Sequence, residues 1–331
     1  MGYPCLVAQY DVFGMCNPLY DILAEVPETL LDELGFAKGG MFLIAQDQQR
    51  QLVDRTYEYI VKAEAGGSGA NTMIGLGMLG GKGVYTGHVG TDEHAELYRQ
   101  SLNDQGIKPN LGVSDGTTGI CLVLVTPDTQ RTMCTFLGLS RELDRNDVNV
   151  DDLRASKYLY ATAYLWDTDN QKDAVLHAMK EANQAGVKVA LSLSDPFCVN
   201  RHKDDLLTLV RDHVDLLFGN FQEAQALTDT DSPEDALRKL SEWSEIAVVT
   251  LDDKGSLIQR GEERVQVPVH RVTAVDTTGA GDMYAAGLLY GVTQGLSLEK
   301  TGRIASYAAA MVVSKLGPRL ESIDASVVAS L

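Results

Sequence analysis

From Tyr158 to Leu251, short apolar runs alternate with helix-length amphipathic segments, and this rhythm constrains the fold more than any other feature. The runs are Tyr158–Tyr164, Val187–Leu193, Val214–Phe218 and Ile246–Leu251. Between the first two, Ala174, Val175, Ala178, Met179 and Ala182 fall on one helical face, and Gly186 follows as a stop signal. Strands alternating with helices of this length make βαβ units, which build a mainly parallel sheet. Gly279–Leu316 then reads as two Ala-rich helices separated by Gln294-Gly295.

The first half of the chain has a different texture. Val12–Gln46 and Thr117–Leu137 carry short strands that fit a parallel core poorly, and they are expected to form a small β-sheet lid, roughly over 12–46 and 117–137. In an open parallel sheet, ligands bind beyond the carboxyl ends of the strands. A lid there excludes water from a reaction. A chain of 331 residues allows two domains, or one large α/β domain with such an insert.

Charge narrows the partners. With 28 Lys and Arg against 46 Asp and Glu, the formal charge is −18. That argues against a nucleic-acid backbone or an anionic membrane as the main partner. A small anionic ligand stays open, because it needs only a local pocket of N–H groups or a metal ion. Cys5, Cys16, Cys121, Cys134 and Cys198 form no C-x-x-C pair and are expected as reduced thiols in a cytoplasmic protein. Met1–Asp11 lacks the pattern of a signal peptide, and no apolar run is long enough for a membrane span.

Two glycine patterns are decoys. Gly75-Leu76-Gly77-Met78-Leu79-Gly80 matches the dinucleotide fingerprint, which would suggest a dehydrogenase. However, Ala70, Met73, Ile74, Gly77 and Met78 already form a helical stripe, so the glycines belong to a helix and its close packing. Gly81-Lys82-Gly83 lacks the earlier glycine and the Ser or Thr of a P-loop. What remains is Gly66-Gly67-Ser68-Gly69-Ala70-Asn71. It reads as a flexible turn or as a place where backbone approaches a ligand, with Asn71 offering both donor and acceptor.

The strongest chemical signal is Ala274-Val275-Asp276-Thr277-Thr278-Gly279-Ala280-Gly281-Asp282. A strand-like end meets a Gly-Ala-Gly turn, and an Ala-rich helix follows. The N–H groups of Gly279, Ala280 and Gly281 are expected to leave the helix N-terminus free to bind an anion. A carboxylate beside such a turn repels phosphate unless it has a task, and the natural one is to accept a proton from an attacking hydroxyl. The helix dipole is expected to hold the Asp282 pKa low. A second constellation, Asn220-Phe221-Gln222-Glu223, opens a helix after an apolar run. It reads as a capping box, or as an amide and a carboxylate suited to Mg²⁺ held through water.

These residues together resemble the ribokinase-like carbohydrate kinases, the PfkB family, over essentially the whole chain. Asp276–Asp282 is similar to the family's C-terminal signature, and Gly66–Asn71 with His88-Val89-Gly90-Thr91-Asp92 to its N-terminal one. Asn220–Glu223 is similar to its magnesium motif, and Gln130-Arg131-Thr132-Met133 to the lid strand whose arginine approaches the transferred phosphate. Gly14-Met15-Cys16-Asn17-Pro18-Leu19-Tyr20-Asp21 and Lys315-Leu316-Gly317-Pro318-Arg319 resemble the adenosine-kinase-like branch.

The resemblance implies a three-layer α/β/α sandwich with a mainly parallel central sheet and a small β-sheet lid. It implies ATP-dependent transfer of the γ-phosphate to a primary hydroxyl of a nucleoside, adenosine being favoured, or of a furanose sugar. Asp282 would be the base, with Gly279, Ala280 and Gly281 as the anion hole and Arg131 adding charge. Asp21, Gly67 and Asn71 would hold sugar hydroxyls. Asn220 and Glu223 would organise Mg²⁺, Thr250 and Gly255 would lie along the ATP site, and Asp276 with Thr278 would sit beside a monovalent cation such as K⁺. Leu19, Phe136, Leu137 and Tyr164 could wall a base and Asn17 could bond its edge, although Phe136 and Leu137 read equally as lid core. The Gly67–Asn71 wording is closer to ribokinases, which keeps a ribokinase- or fructokinase-type reaction open. A catalytically silent sugar or nucleotide sensor is the alternative of another class. The expected assembly is a monomer or homodimer.

Overall fold

The computed structural model describes residues 8–128 and 130–331. Cys5 lies outside the described residues. Among them, nine strands form one sheet, in the spatial order Glu263–Val267, Ser256–Arg260, Ile246–Thr250, Leu216–Asn220, Lys188–Ser192, Ser156–Thr162, Tyr10–Met15, Gly83–Val89 and Ile107–Val113. Neighbours from Ile246–Thr250 through Ile107–Val113 pair in parallel, and the two strands after Thr250 fold back antiparallel. Each run expected as a strand after Tyr158 lies in this sheet, within a few residues of its anticipated ends.

Side-chain alternation builds the outer layers. Successive strand residues point to opposite faces. Val12, Tyr160, Ala190, Leu216 and Val248 join the core under helices Ser68–Met78, Ala280–Thr293 and Leu298–Val313. Phe13, Leu159, Leu191, Leu217 and Val249 join the other core, under helices Asp169–Ala185, Pro196–His213 and Phe221–Thr228. The stripe read from Ala174 to Ala182 is buried, and Gly186 closes its helix in a left-handed cap.

A five-stranded sheet stands apart, in the order Met41–Leu43, Arg131–Phe136, Gly119–Val125, Leu19–Glu25 and Ile60–Gly66. Its boundaries differ from those expected in two places. Tyr10–Met15 pairs in the large sheet, because Val12, Phe13 and Met15 are buried on both faces as a central parallel strand requires. Ile60–Gly66 joins the smaller sheet, pairing antiparallel with Leu19–Glu25. Its Val61, Lys62, Ala63 and Glu64 alternate apolar with charged residues, but Val61 and Ala63 are exposed while Lys62 and Glu64 take the half-buried face.

Gly75 belongs to helix Ser68–Met78 and not to a nucleotide loop. A methyl group there would come within 2.8 Å of Met283 and Ala286, so the glycine lets this helix pack closely on Ala280–Thr293. That contact joins the two glycine-rich segments of the sequence.

Candidate active site

The close packing brings Asp282 against the first turn of helix Ser68–Met78. Ser68 Oγ donates to Asp282 Oδ1 at 2.6 Å, and Asn71 Nδ2 donates to Oδ2 at 3.0 Å. Burial pushes the Asp282 carboxyl above its usual range, while these two bonds and the charge of Arg319 pull it back. The expectation from the helix dipole is therefore reversed. Taking a carboxylate out of water disfavours its charge more than the helix terminus favours it here.

The turn before Asp282 is a left-handed cap at Gly279, with φ of 76°. A Cβ at Gly279 would lie 2.4 Å from the Pro318 carbonyl oxygen, so geometry and space both require glycine. The anion-binding donors differ from those expected in one respect. Ala280 N–H donates to Thr277 O at 3.2 Å. Among the described residues, the N–H groups of Gly279, Gly281 and Asp282 have no protein partner at this helix start.

Asp276 does not face an open cation position. Its Oδ1 accepts from Thr278 N–H at 2.8 Å, and its Oδ2 accepts from Gly317 N–H at 2.6 Å and from the Arg131 guanidinium. A monovalent cation at Asp276 and Thr278 would sit where Arg131 already supplies the charge, so the residues present do not fit it. Arg131, at the start of the strand Arg131–Phe136, reaches across from the smaller sheet to make this pair. Its Nη1 is buried without a partner.

On the smaller sheet, Asp21 is 8 % exposed, and burial pushes its carboxyl up to about 7, with Arg319 the main opposing charge. A Cβ at Gly66 would fall 1.9 Å from Asp21 Oδ2, so the first glycine of the Gly66–Asn71 segment makes room for this carboxylate. Gly67 caps the helix that carries Asn71. Asn17 Oδ1 accepts from Gln171 Nε2 at 2.7 Å. Gln171 Nε2 also donates to Ser140 O at 2.8 Å, which ties Asn17 to the turn beside a cavity of about 750 Å³.

That cavity is lined in part by Leu43, Ile44, Phe136, Leu137, Arg141 and Asn170. It brings together the expected Phe136 and Leu137, but Leu19 and Tyr164 are not on its wall. Tyr164 instead donates to Ser194 O at 3.3 Å, and its hydroxyl feels the charges of Asp195, Glu223 and Asp282.

Asn220 and Glu223 do form the capping box. Asn220 Oδ1 accepts from Glu223 N–H at 2.9 Å, and Glu223 accepts from Asn220 N–H at 3.0 Å and from Asn220 Nδ2 at 2.7 Å. Glu223 is 6 % exposed, and burial pushes its carboxyl up to about 7, with Asp195 and Asp282 adding to the rise. Asp195 Oδ2 is buried without a partner. A buried carboxylate with acidic neighbours and an unpartnered acidic oxygen nearby fits a divalent cation. No cluster of three or more His, Cys, Asp or Glu forms a metal cage among the described residues. Thr250 pairs in register with Asn220 on the next strand, and Gly255, with φ of 89°, closes the turn that follows.

Sequence reading gave no role to Ser68, Gln171, Asp195 or Arg319. Ser68 and Arg319 stand inside segments already singled out, but their partners are 214 and 248 positions away in the chain. No local pattern carries such a contact.

Comparison with known proteins agrees with this geometry. Residues 43–325 match the pfkB family carbohydrate kinase model. A probable sugar kinase from Rhizobium etli CFN 42 shares 35 % identity and a TM-score of 0.92, covering 98 % of both chains. An adenosine kinase from Sinorhizobium meliloti shares 38 % identity and a TM-score of 0.90, covering 98 % of this chain and 99 % of that one. The adenosine kinase of Saccharomyces cerevisiae is 26 % identical over 92 % of this chain and 95 % of its own. The fold is the ribokinase-like α/β fold, and this chain belongs to the pfkB family of carbohydrate kinases, phosphotransferases acting on hydroxyl groups.

Proposed function

We propose that the chain is a cytoplasmic, ATP- and Mg²⁺-dependent kinase that phosphorylates a primary hydroxyl of a nucleoside, with adenosine as the favoured acceptor. The observation that carries this reading is Asp282, fixed by Ser68 and Asn71 beside unpartnered N–H groups at a helix N-terminus. The cavity of about 750 Å³, whose mixed wall includes Phe136 and Leu137, supports a nucleoside over a bare sugar, because it offers room and two apolar side chains for a base.

Asp21, Gly67 and Asn71 orient the sugar. Orientation converts an encounter into an effectively intramolecular attack, worth up to about 7–11 kcal/mol of barrier. The acceptor oxygen forms its bond to the γ-phosphorus, the bond to the β,γ-bridging oxygen breaks, and the acceptor proton passes to Asp282. The products are the phosphorylated acceptor and ADP. The N–H groups of Gly279 and Gly281 receive charge on the phosphoryl oxygens, and Arg131 adds a donor from the smaller sheet, which acts as the lid. Glu223, helped by Asn220, would hold Mg²⁺ through water, and the ion supplies neutralisation of phosphate charge. Thr250 and Gly255 would lie along the nucleotide.

The test is ATP turnover with product identification across adenosine, inosine, cytidine, ribose and fructose. Adenosine is expected to give the highest kcat/KM. Turnover of fructose or ribose alone would replace the acceptor assignment. Binding by calorimetry without turnover of any acceptor would favour the silent sensor.

A Gly279→Ala variant tests the anion hole. The left-handed φ costs a non-glycine residue about 1–3 kcal/mol, and the Pro318 contact forces the turn to shift. Thermal unfolding should move down, and kcat should fall by about 10–100-fold, since a displacement of about 1 Å has effects of that order. Wild-type kcat in this variant would show that the turn does not touch the phosphoryl group.

A further inference from the structure

We infer that Arg319 is a positioning residue, which fixes the side-chain amide of Asn71 and, through it, the carboxylate of Asp282. The inference rests on the proposed role of Asp282 as proton acceptor.

Arg319 follows helix Leu298–Val313 in a segment built against the site. Gly317 N–H donates to Asp276 at 2.6 Å, and the Pro318 backbone packs against Gly279. Arg319 Nε then donates to Asn71 Oδ1 at 2.8 Å, and Nη1 donates to Ser101 Oγ at 2.7 Å. Its Nη2 is buried without a partner.

A guanidinium has donors only, whereas an Asn amide has a donor end and an acceptor end. With Arg319 in place, Asn71 must turn Oδ1 toward it, and this leaves Nδ2 aimed at Asp282 Oδ2 at 3.0 Å. Without Arg319 only the Asp282 carboxylate itself selects that orientation, and the far end of the amide is unanchored. A flipped amide would set its oxygen against the carboxylate and repel it. The carboxylate that Ser68 and Asn71 now grip from both oxygens would lose one grip and its orientation. An Arg serving packing alone would not need this pairing, because the Ser101 bond already ties it to helix Glu93–Asp104. Burial disfavours the charge of Arg319, and the carboxylates of Glu64 and Asp21 support it. Arg319 thus also counters the burial of Asp21.

The test uses Arg319→Met and Arg319→Lys, each alone and in an Asn71→Ala background. kcat, KM for ATP and thermal midpoint are measured in each. Arg319→Met should lower kcat by about 10²-fold with KM for ATP unchanged, as misplacement of a reacting group does. Arg319→Lys, which keeps one donor and the charge, should recover part of the loss. In the Asn71→Ala background Arg319→Met should add little, because residues acting through one another are not additive. Wild-type kcat in Arg319→Met would overturn the inference, as would full multiplication of the two losses. If Arg319→Met does not fold, Arg319→Lys alone decides: reduced kcat at an unchanged thermal midpoint supports the inference, and wild-type kcat overturns it. Asp282→Asn separates this inference from the reading beneath it. Full turnover in Asp282→Asn removes the base assignment itself. An inactive Asp282→Asn beside fully active Arg319 variants removes only the role of Arg319.

Discussion

Asp282→Asn is expected to lower kcat by about 10²–10⁴-fold, the range of a lost general base, while ATP and acceptor still bind. The substitution keeps the shape of the side chain and removes its charge. Ser68 and Asn71 both donate to the carboxylate. An Asn amide offers one acceptor and one donor, and the Ser68 hydroxyl can rotate to accept from that donor, so the turn keeps its geometry. The same variant carries a stability signature with a definite sign. Burial raises the folded-state pKa of Asp282 above its unfolded value. The folded chain therefore holds that proton more tightly, and the associated stability, full at low pH, is lost as pH rises through the folded-state pKa. Asn has no such loss. The thermal midpoint of Asp282→Asn relative to the natural chain should thus increase as pH rises from the ordinary carboxylate range through the raised folded-state pKa. Dead turnover with a raised midpoint at neutral pH marks a group kept for chemistry at a cost in stability. Full activity in Asp282→Asn would end the base assignment.

The parts of the fold visible in the sequence were those set by local periodicity. The runs at Tyr158, Val187, Val214 and Ile246 became adjacent parallel strands because each is apolar on both faces and the first three are followed by helix-length segments that return the chain. Ile60–Gly66 escaped notice although its alternation was present, because Lys62 and Glu64 hold the half-buried face and Val61 and Ala63 the exposed one, the reverse of the usual strand pattern. The Gly-Ala-Gly turn and Asp282 were legible because a helix start needs particular residues in a row. The partners of Asp282 and Asp276 were not. Arg131 sits 145 positions from Asp276, and the contact exists only because the smaller sheet folds over the turn. Tyr164 was misplaced for a related reason: its residue type suited a base wall, but the turn Ala163–Trp166 aims it at Ser194.

That contact between Arg131 and Asp276 is where the second large effect is expected. The Asp276 side chain is 2 % exposed and that of Arg131 13 %. Removing the guanidinium in Arg131→Met leaves Asp276 with two backbone N–H groups and no countercharge. Breaking a buried pair from one side costs about 3–5 kcal/mol, and the two N–H bonds place this case toward the lower end. Turnover should fall as well, by about 10²–10³-fold, the range for losing a preorganised donor to developing charge. The two effects have different origins, and Asp276→Asn separates them. An amide keeps one oxygen, so either Thr278 N–H or Gly317 N–H loses its acceptor, but the side chain no longer competes for Arg131 as an anion. The guanidinium, with Nη1 already unpartnered, then keeps only the charge of Asp21 and is freer to turn to phosphate oxygens. Asp276→Asn is therefore expected to lose less kcat than Arg131→Met and to gain affinity for ATP. Arg131→Lys should recover part of the stability but little of the turnover, since one ammonium cannot face Asp276 and the phosphoryl group in two directions as a planar guanidinium does. Thermal unfolding and saturating-ATP kinetics on the three variants decide the matter. If Arg131→Met unfolds earlier but turns over at the natural rate, the arginine holds the smaller sheet to the turn and has no part in phosphoryl transfer.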